Sequence, residues 1–366
     1  MDKKARVIAF YLPQFHPIPE NDHFWGKGFT EWTNVGKAKP LFKGHYQPRV
    51  PADLGYYDLR MPEVREEQAA MAREAGVEGF IYWHYWFGNG KRVLERPFNE
   101  VLESGKPDFP FCLGWANHSW STHSWNSATQ WQKNTVIFEQ LYPGVDDYTN
   151  HFNTVLPAFK DPRYLTVDGK PIFLIYAPND IPDVKQFIEL WRKLAEENGL
   201  KGIHFIGMHG GWVEDLNKNF EYGFDAVNSR GLWHAEAKAA GKLKKLIFHK
   251  IRKKFGGLTL DKYSYAKVMK HYFTKLDKEK NVYPTIIPQW DRSARSGRRA
   301  VIYHGSTPEL FKSHVEEALE LIKEKPEEHK IVFLKSWNEW AEGNYMEPDL
   351  KFGRGYLDAL REALKK

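Results

Sequence analysis

Residues 331–343 have the sequence IVFLKSWNEWAEG, a short apolar run followed at once by a turn of polar and aromatic residues. Similar short runs, rich in β-branched and aromatic residues, alternate along the chain with charged segments of helical period. This alternation is typical of repeated βα units around a parallel sheet. We expect strands at Arg6–Tyr11, Gly79–Trp83, Phe109–Gly114, Ile172–Tyr176, His204–Met208, Ala226–Ser229, Thr285–Gln289 and Ile331–Lys335. Because eight such units make a (β/α)8 barrel, the sequence predicts an α/β fold with one TIM barrel over residues 1–366.

The segments between the strands predict helices at Pro62–Ala75, Asp183–Asn198 and Pro308–Lys325. The first and third begin with proline, which suits the first turn of a helix. Two connections, residues 115–170 after the third strand and 230–284 after the sixth, are longer than a simple βα loop requires. We expect each to carry extra helices or a lid over the top face of the barrel.

The second long connection contains a basic segment near Lys242–Lys254 in which Leu243, Ile247, Ile251 and Phe255 recur at helical spacing. This pattern predicts an amphipathic basic helix. Two interpretations remain open: a solvated helix that packs on the barrel, or peripheral contact with a membrane surface or an anionic glycan.

The composition is that of a soluble globular protein, with 42% hydrophobic and 27% charged residues among 366. The formal charge of +6 is too small and too dispersed to indicate a nucleic-acid partner. Cys112, the single cysteine, excludes an intramolecular disulfide. The apolar run Val7–Leu12 is too short for a signal peptide, and no stretch approaches the roughly 20 apolar residues of a transmembrane helix. We therefore expect a cytoplasmic protein.

Aromatic residues make up 15% of the chain and include 14 tryptophans. In a barrel of this type the active site lies at the carboxyl ends of the strands. Indole rings and short polar side chains alternate there, and this mixture suits a sugar, whose hydrogens stack on rings while its hydroxyls need donors and acceptors. The alternative for any single tryptophan is a place in the core. The candidate substrate-binding residues are Tyr11, His16, Trp25, Glu31, Trp32, His84, Tyr85, Trp86, Asn117, His118, Trp120, His209, Trp290, Asp291, Trp337 and Asn338.

Several histidines follow strands, but the chain lacks HExxH or a comparable short spacing of zinc ligands. It also lacks a GxSxG elbow, a Walker loop and a GxGxxG segment after a strand. We therefore expect neither a metal nor an organic cofactor.

The candidate catalytic residues are Glu339 and Glu342, which follow the last predicted strand within WNEWAEG. Two carboxyl groups roughly 5–5.5 Å apart fit a retaining glycosidase. One must serve as an acid with a raised pKa, which burial beneath Trp337 and Trp340 and a neighbouring carboxylate would supply. A Glu-x-x-Glu pair alone is weak evidence, but its position after a buried strand makes it specific.

Five segments carry a resemblance to WbsX-type proteins, which are labelled glycosyltransferases but are similar to glycoside hydrolase family 99, the endo-α-mannosidases and endo-α-mannanases. They are YLPQFHPIPENDHFWGKGFTEWTNV from Tyr11, HYQPRVPADLGYYDLR from His45, GFIYWHYWF from Gly79, PQWDRSARSGRRA from Pro288 and SWNEWAEGNYMEPD from Ser336. The resemblance implies a retaining, metal-free barrel enzyme. It further implies that Glu339 deprotonates the sugar's own 2-hydroxyl, which attacks the anomeric carbon to give a 1,2-anhydro sugar, while Glu342 protonates the leaving oxygen. Direct attack by a carboxylate remains the alternative.

Three functions compete. The first is hydrolysis of α-mannoside-like or rhamnose-type linkages in bacterial polysaccharide. The second is a glycosyltransferase of O-antigen or capsule assembly, against which stands the absence of a Rossmann unit and of a DxD motif. The third is a glycan-binding barrel without catalysis, which would not need a carboxylate pair.

Overall fold

The computed structural model describes residues 4–122, 134–209, 213–241, 246–247 and 260–365, and its centre is a closed barrel of eight parallel strands. These strands are β1 (Arg6–Tyr11), β2 (Gly79–His84), β3 (Phe111–Trp115), β4 (Lys170–Ile175), β5 (His204–His209), β6 (Ala226–Ser229), β7 (Val282–Ile286) and β8 (Ile331–Leu334). Each strand pairs with its neighbours in chain order. The barrel closes where β8 pairs with β1, with Arg6 opposite Ile331 and Ala9 opposite Leu334. The predicted (β/α)8 barrel is confirmed.

Three predicted strands differ from the observed ones by two or three residues at one end or both. The seventh lies at Val282–Ile286 instead of Thr285–Gln289, and the chain leaves the sheet before Pro288, which has no amide hydrogen for the ladder. The third begins at Phe111, after Pro110, rather than at Phe109. The fourth begins at Lys170, two residues before its predicted start, and the other five agree with the structure to within one residue at either end.

Helices surround the barrel. They are α1 (Pro19–Trp25), α2 (Glu31–Lys37), α3 (Pro62–Ala75), α4 (Arg96–Ser104), α5 (Val145–Phe159), α6 (Val184–Glu197), α7 (Val213–Tyr222), α8 (Leu232–Ala240), α9 (Tyr265–Met269), α10 (Ser293–Ser296), α11 (Pro308–Ile322) and α12 (Gly355–Leu364). Local hydrogen bonds and backbone conformations set the ends of the predicted helices. The Thr307 hydroxyl accepts a hydrogen bond from the Leu310 amide before α11, and Gly76 ends α3 with a φ of 94°.

The long connections carry the expected additional structure. In the connection between β3 and β4, the strands Trp120–Ser121 and Val136–Phe138 pair ahead of α5, and Thr166–Val167 pairs with β4. The connection after β6 contains α8, the strand Asp261–Ser264 and α9. The basic helix predicted at Lys242–Lys254 lies outside the described residues, apart from Leu246 and Ile247.

Aromatic side chains fill the core on both sides of the barrel wall. Phe10 stacks on Trp83 and on Phe333 with ring centroids 4.7 and 5.4 Å away, which joins β1, β2 and β8 inside the barrel. Outside it, Trp191 of α6 is fully buried against Phe173 and other rings. Among the described residues, no helix is long and apolar enough to cross a membrane.

Gly79 tests how closely the strands pack against their connections. A Cβ at this position would lie 2.5 Å from the Pro110 carbonyl oxygen and 2.9 Å from Cδ1 of Leu165. We expect Gly79→Ala to lower the free energy of unfolding by about 1–3 kcal/mol, the usual cost of overpacking. Gly36→Ala in α2 is the control, since nothing lies within 4 Å of its added methyl group. Urea denaturation of both variants measures the difference, and equal stabilities would contradict the packing at Gly79.

Candidate active site

The residues that end the strands surround a cleft of about 410 Å³ at the carboxyl face of the barrel. Rings form much of its wall, while the charged groups lie at one side. The lining consists of Leu12, Trp83, Tyr85, Ala116, His118, Trp120, Tyr176, Arg230, Leu232, Trp290, Arg292, Arg295, Lys335, Glu339 and Glu342. Both candidate catalytic glutamates are therefore in the cleft.

Glu339 and Glu342 lie on a tight hairpin. The strand Asn338–Glu339 pairs antiparallel with Asn344–Tyr345, and the residues Trp340–Glu342 between them form one turn of 3-10 helix. Gly343 ends that turn with a φ of 56°, and a Cβ there would lie 2.8 Å from Cβ of Asp291. Glycine is therefore needed for both its conformation and its lack of a side chain.

Side chains near the barrel closure hold the start of this hairpin. The Asn338 side chain accepts a hydrogen bond from the Leu12 amide at 2.8 Å and donates one to the Leu12 carbonyl at 3.0 Å. The Ser336 hydroxyl accepts from the Glu339 amide at 3.0 Å. The backbone that carries the first glutamate is thus bonded to the chain just after β1.

Glu347 holds the other end of the hairpin. Its buried carboxyl group accepts hydrogen bonds from the Trp340 indole at 2.6 Å, the Gln68 amide at 2.6 Å and the Tyr57 hydroxyl at 2.9 Å. Burial raises the pKa of Glu347 to about 7, although the three donors oppose the rise. The Trp340 ring also stacks on Tyr345, with centroids 3.8 Å apart. These contacts fix the turn between the two catalytic candidates.

Arg295 of α10 connects the carboxylates around the cleft. Its guanidinium donates to Glu342 Oε1 and to Glu31 Oε1, each at 2.8 Å, and lies 3.9 Å from Glu339 Oε2. Glu31 also accepts from the Ala341 amide at 2.9 Å, directly between the two glutamates. Arg292 adds a second guanidinium 3.0 Å from Glu342. Glu31 therefore acts on the pair through Arg295 and the backbone rather than by facing the cleft.

The two glutamates differ in pKa because they have different neighbours. Burial, followed by the charge of Glu342, raises the pKa of Glu339 to about 8. Burial would also raise the pKa of Glu342, but the charges of Arg292, Arg295 and Lys335 outweigh it and lower that pKa to about 2. The Glu339 side chain also hydrogen-bonds to Glu342. At neutral pH the pair thus holds one proton, and Glu339 carries it.

Four of the sequence-predicted binding residues line the cleft beside the glutamates: Tyr85, His118, Trp120 and Trp290. Trp120 and Tyr85 meet edge to face, with centroids 5.1 Å apart, and the His118 ring lies 5.1 Å from Tyr176. These rings come from the ends of different strands, and their contact with a sugar stays a prediction.

Several other predicted binding residues are structural in this fold. Trp86 is buried, stacks on His151 with centroids 4.6 Å apart and donates its indole hydrogen to Asp147. His84 is hydrogen-bonded to the same His151, and burial lowers its pKa to about 3. The expected contact of Trp86 and His84 with the substrate is therefore wrong, because neighbouring helices cover both side chains. The same holds for the buried side chains of Tyr11, Asn117, Trp337 and Asn338, which bond or pack within the protein.

The remaining predicted residues also lie outside the cleft lining. Asp291 is buried behind it, bonded to His45 at 2.8 Å and to the Gln47 amide at 2.9 Å. Trp32 donates to the Tyr57 carbonyl and packs on Trp340, so it supports the hairpin. The others are Trp25, which donates to the Thr122 carbonyl, and the buried His16 and His209.

Three charged or phenolic residues of the cleft were missed by the sequence analysis. Tyr176, Arg230 and Lys335 each follow directly after the last residue of β4, β6 and β8. Arg230 also follows its predicted strand, so the rule that selects such residues would have found it, whereas Tyr176 and Lys335 were counted as the last residues of their predicted strands. Trp83 was missed because it lies within β2, and Arg295 because it lies on a short helix far from any strand end.

Among the described residues, no group of three or more histidine, cysteine, aspartate or glutamate side chains is arranged to hold a metal ion. His84 and His151 are hydrogen-bonded to each other at 2.8 Å, and His118, which lines the cleft, packs beside the Tyr176 ring.

Comparison with known proteins shows what this arrangement is similar to. A family model described as "Glycosyltransferase WbsX" matches residues 7–360. Curated relatives from two strains of Xanthomonas campestris pv. campestris, both described as "Uncharacterized protein WxcX", are 36% identical over 365 residues, 99% of this chain. The chain spans about half the length of these relatives, 50%.

Solved structures share the fold at low identity. A "Glycoside hydrolase-like protein" is 16% identical with a TM-score of 0.63, covering 100% of this chain and 95% of the other. The GH99 endo-alpha-mannosidase from Bacteroides thetaiotaomicron is 16% identical with a TM-score of 0.57, covering 99% of both chains. At this identity the likeness shows the barrel fold alone.

The split in pKa predicts opposite pH dependences of stability for two variants. The folded protein keeps the Glu339 proton up to about pH 8, whereas an unfolded chain releases it near pH ~4.3. The stability that this protonation gives is complete below about pH 4 and is lost as the pH rises through about 8. Glu339→Gln should therefore gain stability relative to wild type as the pH rises, by up to a few kcal/mol.

Glu342→Gln is the matched comparison. Its carboxylate stabilises the fold above the unfolded pKa, and that contribution is lost only as the pH falls toward about 2. The variant should therefore be less stable than wild type at neutral pH. Thermal unfolding between about pH 5 and 9 distinguishes the two, and parallel curves for both variants would contradict the assigned proton.

Proposed function

The chain belongs to the WbsX family, and we propose that it is a retaining glycoside hydrolase acting on α-mannoside-like or related linkages of bacterial polysaccharide. We take residues 1–366 as one catalytic domain, in a chain that spans 50% of its curated relatives. The observation that carries the proposal is the pair Glu339 and Glu342, hydrogen-bonded to each other in the cleft, with pKa values on either side of neutrality.

The separation of the pair supports retention of configuration. Inverting glycosidases hold their carboxyl groups roughly 6.5–9.5 Å apart, because a water molecule must fit between them and the sugar. Glu339 and Glu342 contact the same Arg295 guanidinium and shift each other's pKa, so we infer the shorter separation of a retaining pair. The nucleophile is then either a carboxylate or a hydroxyl of the sugar itself.

The walls of the cleft suit a sugar ring. Trp290 and Tyr85 offer apolar surface on which ring hydrogens stack, whereas the fully buried Trp120 supports Tyr85 from behind. A volume of about 410 Å³ accommodates one or two sugar units. The GH99 endo-alpha-mannosidase with the same fold supports an α-mannoside-like substrate.

The proposed roles follow the resemblance to family 99. Glu339 takes the proton of the 2-hydroxyl, whose oxygen attacks the anomeric carbon, while Glu342 protonates the departing oxygen. The 1,2-anhydro sugar then opens when Glu342 takes a proton from water and the 2-oxygen regains one from Glu339. Each group thus returns to its starting state after both steps.

In the free protein the single proton of the pair is on Glu339, so the proposed roles require it to pass to Glu342. A path exists, because the two side chains are already hydrogen-bonded. The ion pair of Arg292 with Glu342 opposes the transfer, and the Arg292 side chain is 40% exposed and therefore movable. A sugar that displaces Arg292 would weaken the hold on the Glu342 carboxylate and favour the transfer.

The family description favours a second candidate, a glycosyltransferase. A transferase would join sugars from an activated donor such as a sugar nucleotide, whereas a hydrolase needs only the glycan and water. Product analysis with and without a panel of sugar nucleotides separates the two. Glycan cleavage in their absence supports the hydrolase, and glycan extension that depends on them would overturn it.

The two glutamates make different demands on the leaving group. Glu342→Gln should lose roughly 10²–10⁴-fold in cleavage of natural glycans but much less with an activated aryl glycoside, which departs without a proton. Glu339→Gln should lose activity on both, because the nucleophile is no longer activated. Steady-state kinetics on the two substrates measures these losses.

Three results would contradict the roles or the site. If Glu339→Gln is the variant that keeps activity on the aryl glycoside, the proton remains on Glu339 as in the free protein. Glu339 is then the acid, and Glu342 is the base. A 2-fluoro sugar trapped as an ester on either glutamate would replace the anhydro-sugar route by direct carboxylate attack. Full activity of both variants would remove the pair from the reaction altogether.

Trp290 and Trp86 offer a matched test of the sugar platform. Trp290→Ala should reduce glycan affinity by roughly ten- to a hundredfold, equivalent to about 1.5–3 kcal/mol of lost apolar burial. Trp86→Ala should instead lower the free energy of unfolding by ~3–5 kcal/mol, because it removes a buried ring. Binding and urea titrations on both variants measure the two effects. An unfolding loss for Trp290→Ala as large as that for Trp86→Ala would return Trp290 to the core.

A further inference from the structure

Two cationic side chains enter the cleft without a carboxylate partner. Arg230 follows the end of β6 and Lys335 follows the end of β8. The Arg230 guanidinium carbon lies 5.0 Å from the centroid of the Tyr176 ring, and Nζ of Lys335 lies 5.1 Å from that of Trp290. In the described part of the chain, neither forms a salt bridge. Aromatic rings therefore contact both cations, while Glu339 and Glu342 attract Lys335 only through space.

The other two cations of the cleft are matched by carboxylates. Arg295 is bonded to Glu31 and Glu342, and Arg292 is bonded to Glu342. Four cationic side chains, Arg230, Arg292, Arg295 and Lys335, therefore face three carboxyl groups, Glu31, Glu339 and Glu342, and the raised pKa of Glu339 reduces the negative charge further. The positive charges of Arg230 and Lys335 thus remain in excess within the cleft.

This excess charge is unfavourable as the structure stands. Burial, followed by the charge of Arg230, lowers the pKa of Lys335. Two cations close enough to perturb each other in a partly dehydrated cleft repel, because the low dielectric strengthens their interaction. The Nε atom of Arg230 is also buried without a hydrogen-bond partner. A neutral sugar would leave both the repulsion and the unmet donor in place.

We propose that Arg230 and Lys335 bind an anionic group on the sugar, a carboxylate or a phosphate ester, so that the substrate is an acidic glycan. This inference rests on the proposed function, since it assigns the substrate class of the same cleft. A guanidinium offers paired donors that match the oxygens of either group, and the lysine adds a compact charge beside it. The anion would offset the repulsion between the two cations.

The direct test compares sugars that differ only at C6. Methyl α-glycosides of the manno, gluco and galacto series are each used in three forms: the neutral hexose, the C6 uronate and the 6-phosphate. Binding is measured by calorimetry on Glu339→Gln, which keeps the charge of the protonated glutamate and avoids turnover. We expect at least one acidic form to bind tenfold or more tightly than its neutral parent, and the preferred form identifies the anion. The preference should fall as the salt concentration rises.

Substitutions at Arg230 and Lys335 test whether these two side chains cause the preference for acidic sugars. Arg230→Gln and Lys335→Gln, each in the Glu339→Gln protein, should reduce it by tenfold or more, and Arg230→Lys should keep part of it. Arg96→Gln is the control, because Arg96 is exposed on α4 away from the cleft. Equal binding of neutral and acidic forms, failure of every acidic form to bind, or a preference that survives in both variants would overturn the inference.

These outcomes are independent of hydrolysis. Tight binding of an acidic sugar, with no cleavage of acidic polysaccharides by wild type, would sustain the anion site and overturn the hydrolase. Cleavage of a neutral polysaccharide, with no preference for acidic sugars, would sustain the hydrolase and overturn the anion site. Comparing each acidic polysaccharide with its carboxyl-reduced or dephosphorylated form completes the second measurement.

Discussion

The closure of the barrel between β8 and β1 is the constraint on which the site depends. A parallel sheet that curves through eight strands leaves no free edge only if the last strand pairs with the first. Beyond the last paired residues, the side-chain amide of Asn338 continues this contact through two hydrogen bonds to the Leu12 backbone. The glutamates follow immediately, so their position is set by the geometry that closes the barrel rather than by a free loop.

The positions of the neighbouring charges separate the pKa values of the two glutamates. Burial alone would raise the pKa of either glutamate. The two pKa values differ because the guanidinium groups of Arg292 and Arg295 both contact Glu342, whereas Arg295 lies 3.9 Å from Glu339. The rings around the cleft exclude water and make these differences large. One proton shared by two carboxyl groups is the state that acid and base chemistry needs at neutral pH.

Much of the fold could be predicted because the strands are buried apolar runs bounded by polar turns. The start of β3 was predicted two residues early, ahead of Pro110, and β7 was predicted three residues late because Pro284 lies inside the strand. Glu339 and Glu342 could be found because they follow a strand directly. Trp86 and Trp290 both follow strands, so their positions in the sequence do not distinguish a core ring from a cleft ring. What distinguishes them is that Trp86 contacts Asp147 and His151, on a helix some 60 residues later. Such long-range packing leaves no local pattern in the sequence.

The hydrogen bonds around Glu347 bear on how this motif can change in evolution. The Gln68 and Tyr57 side chains that bond it lie 279 and 290 residues away in the chain. Losing either donor would remove a hydrogen bond from a buried carboxyl group, which costs about 0.5–1.5 kcal/mol. Substitutions at these positions should therefore be accepted together and appear as correlated changes among homologues. A graft of residues 336–343 alone into another barrel would carry the glutamates but not the distant groups that shape their turn.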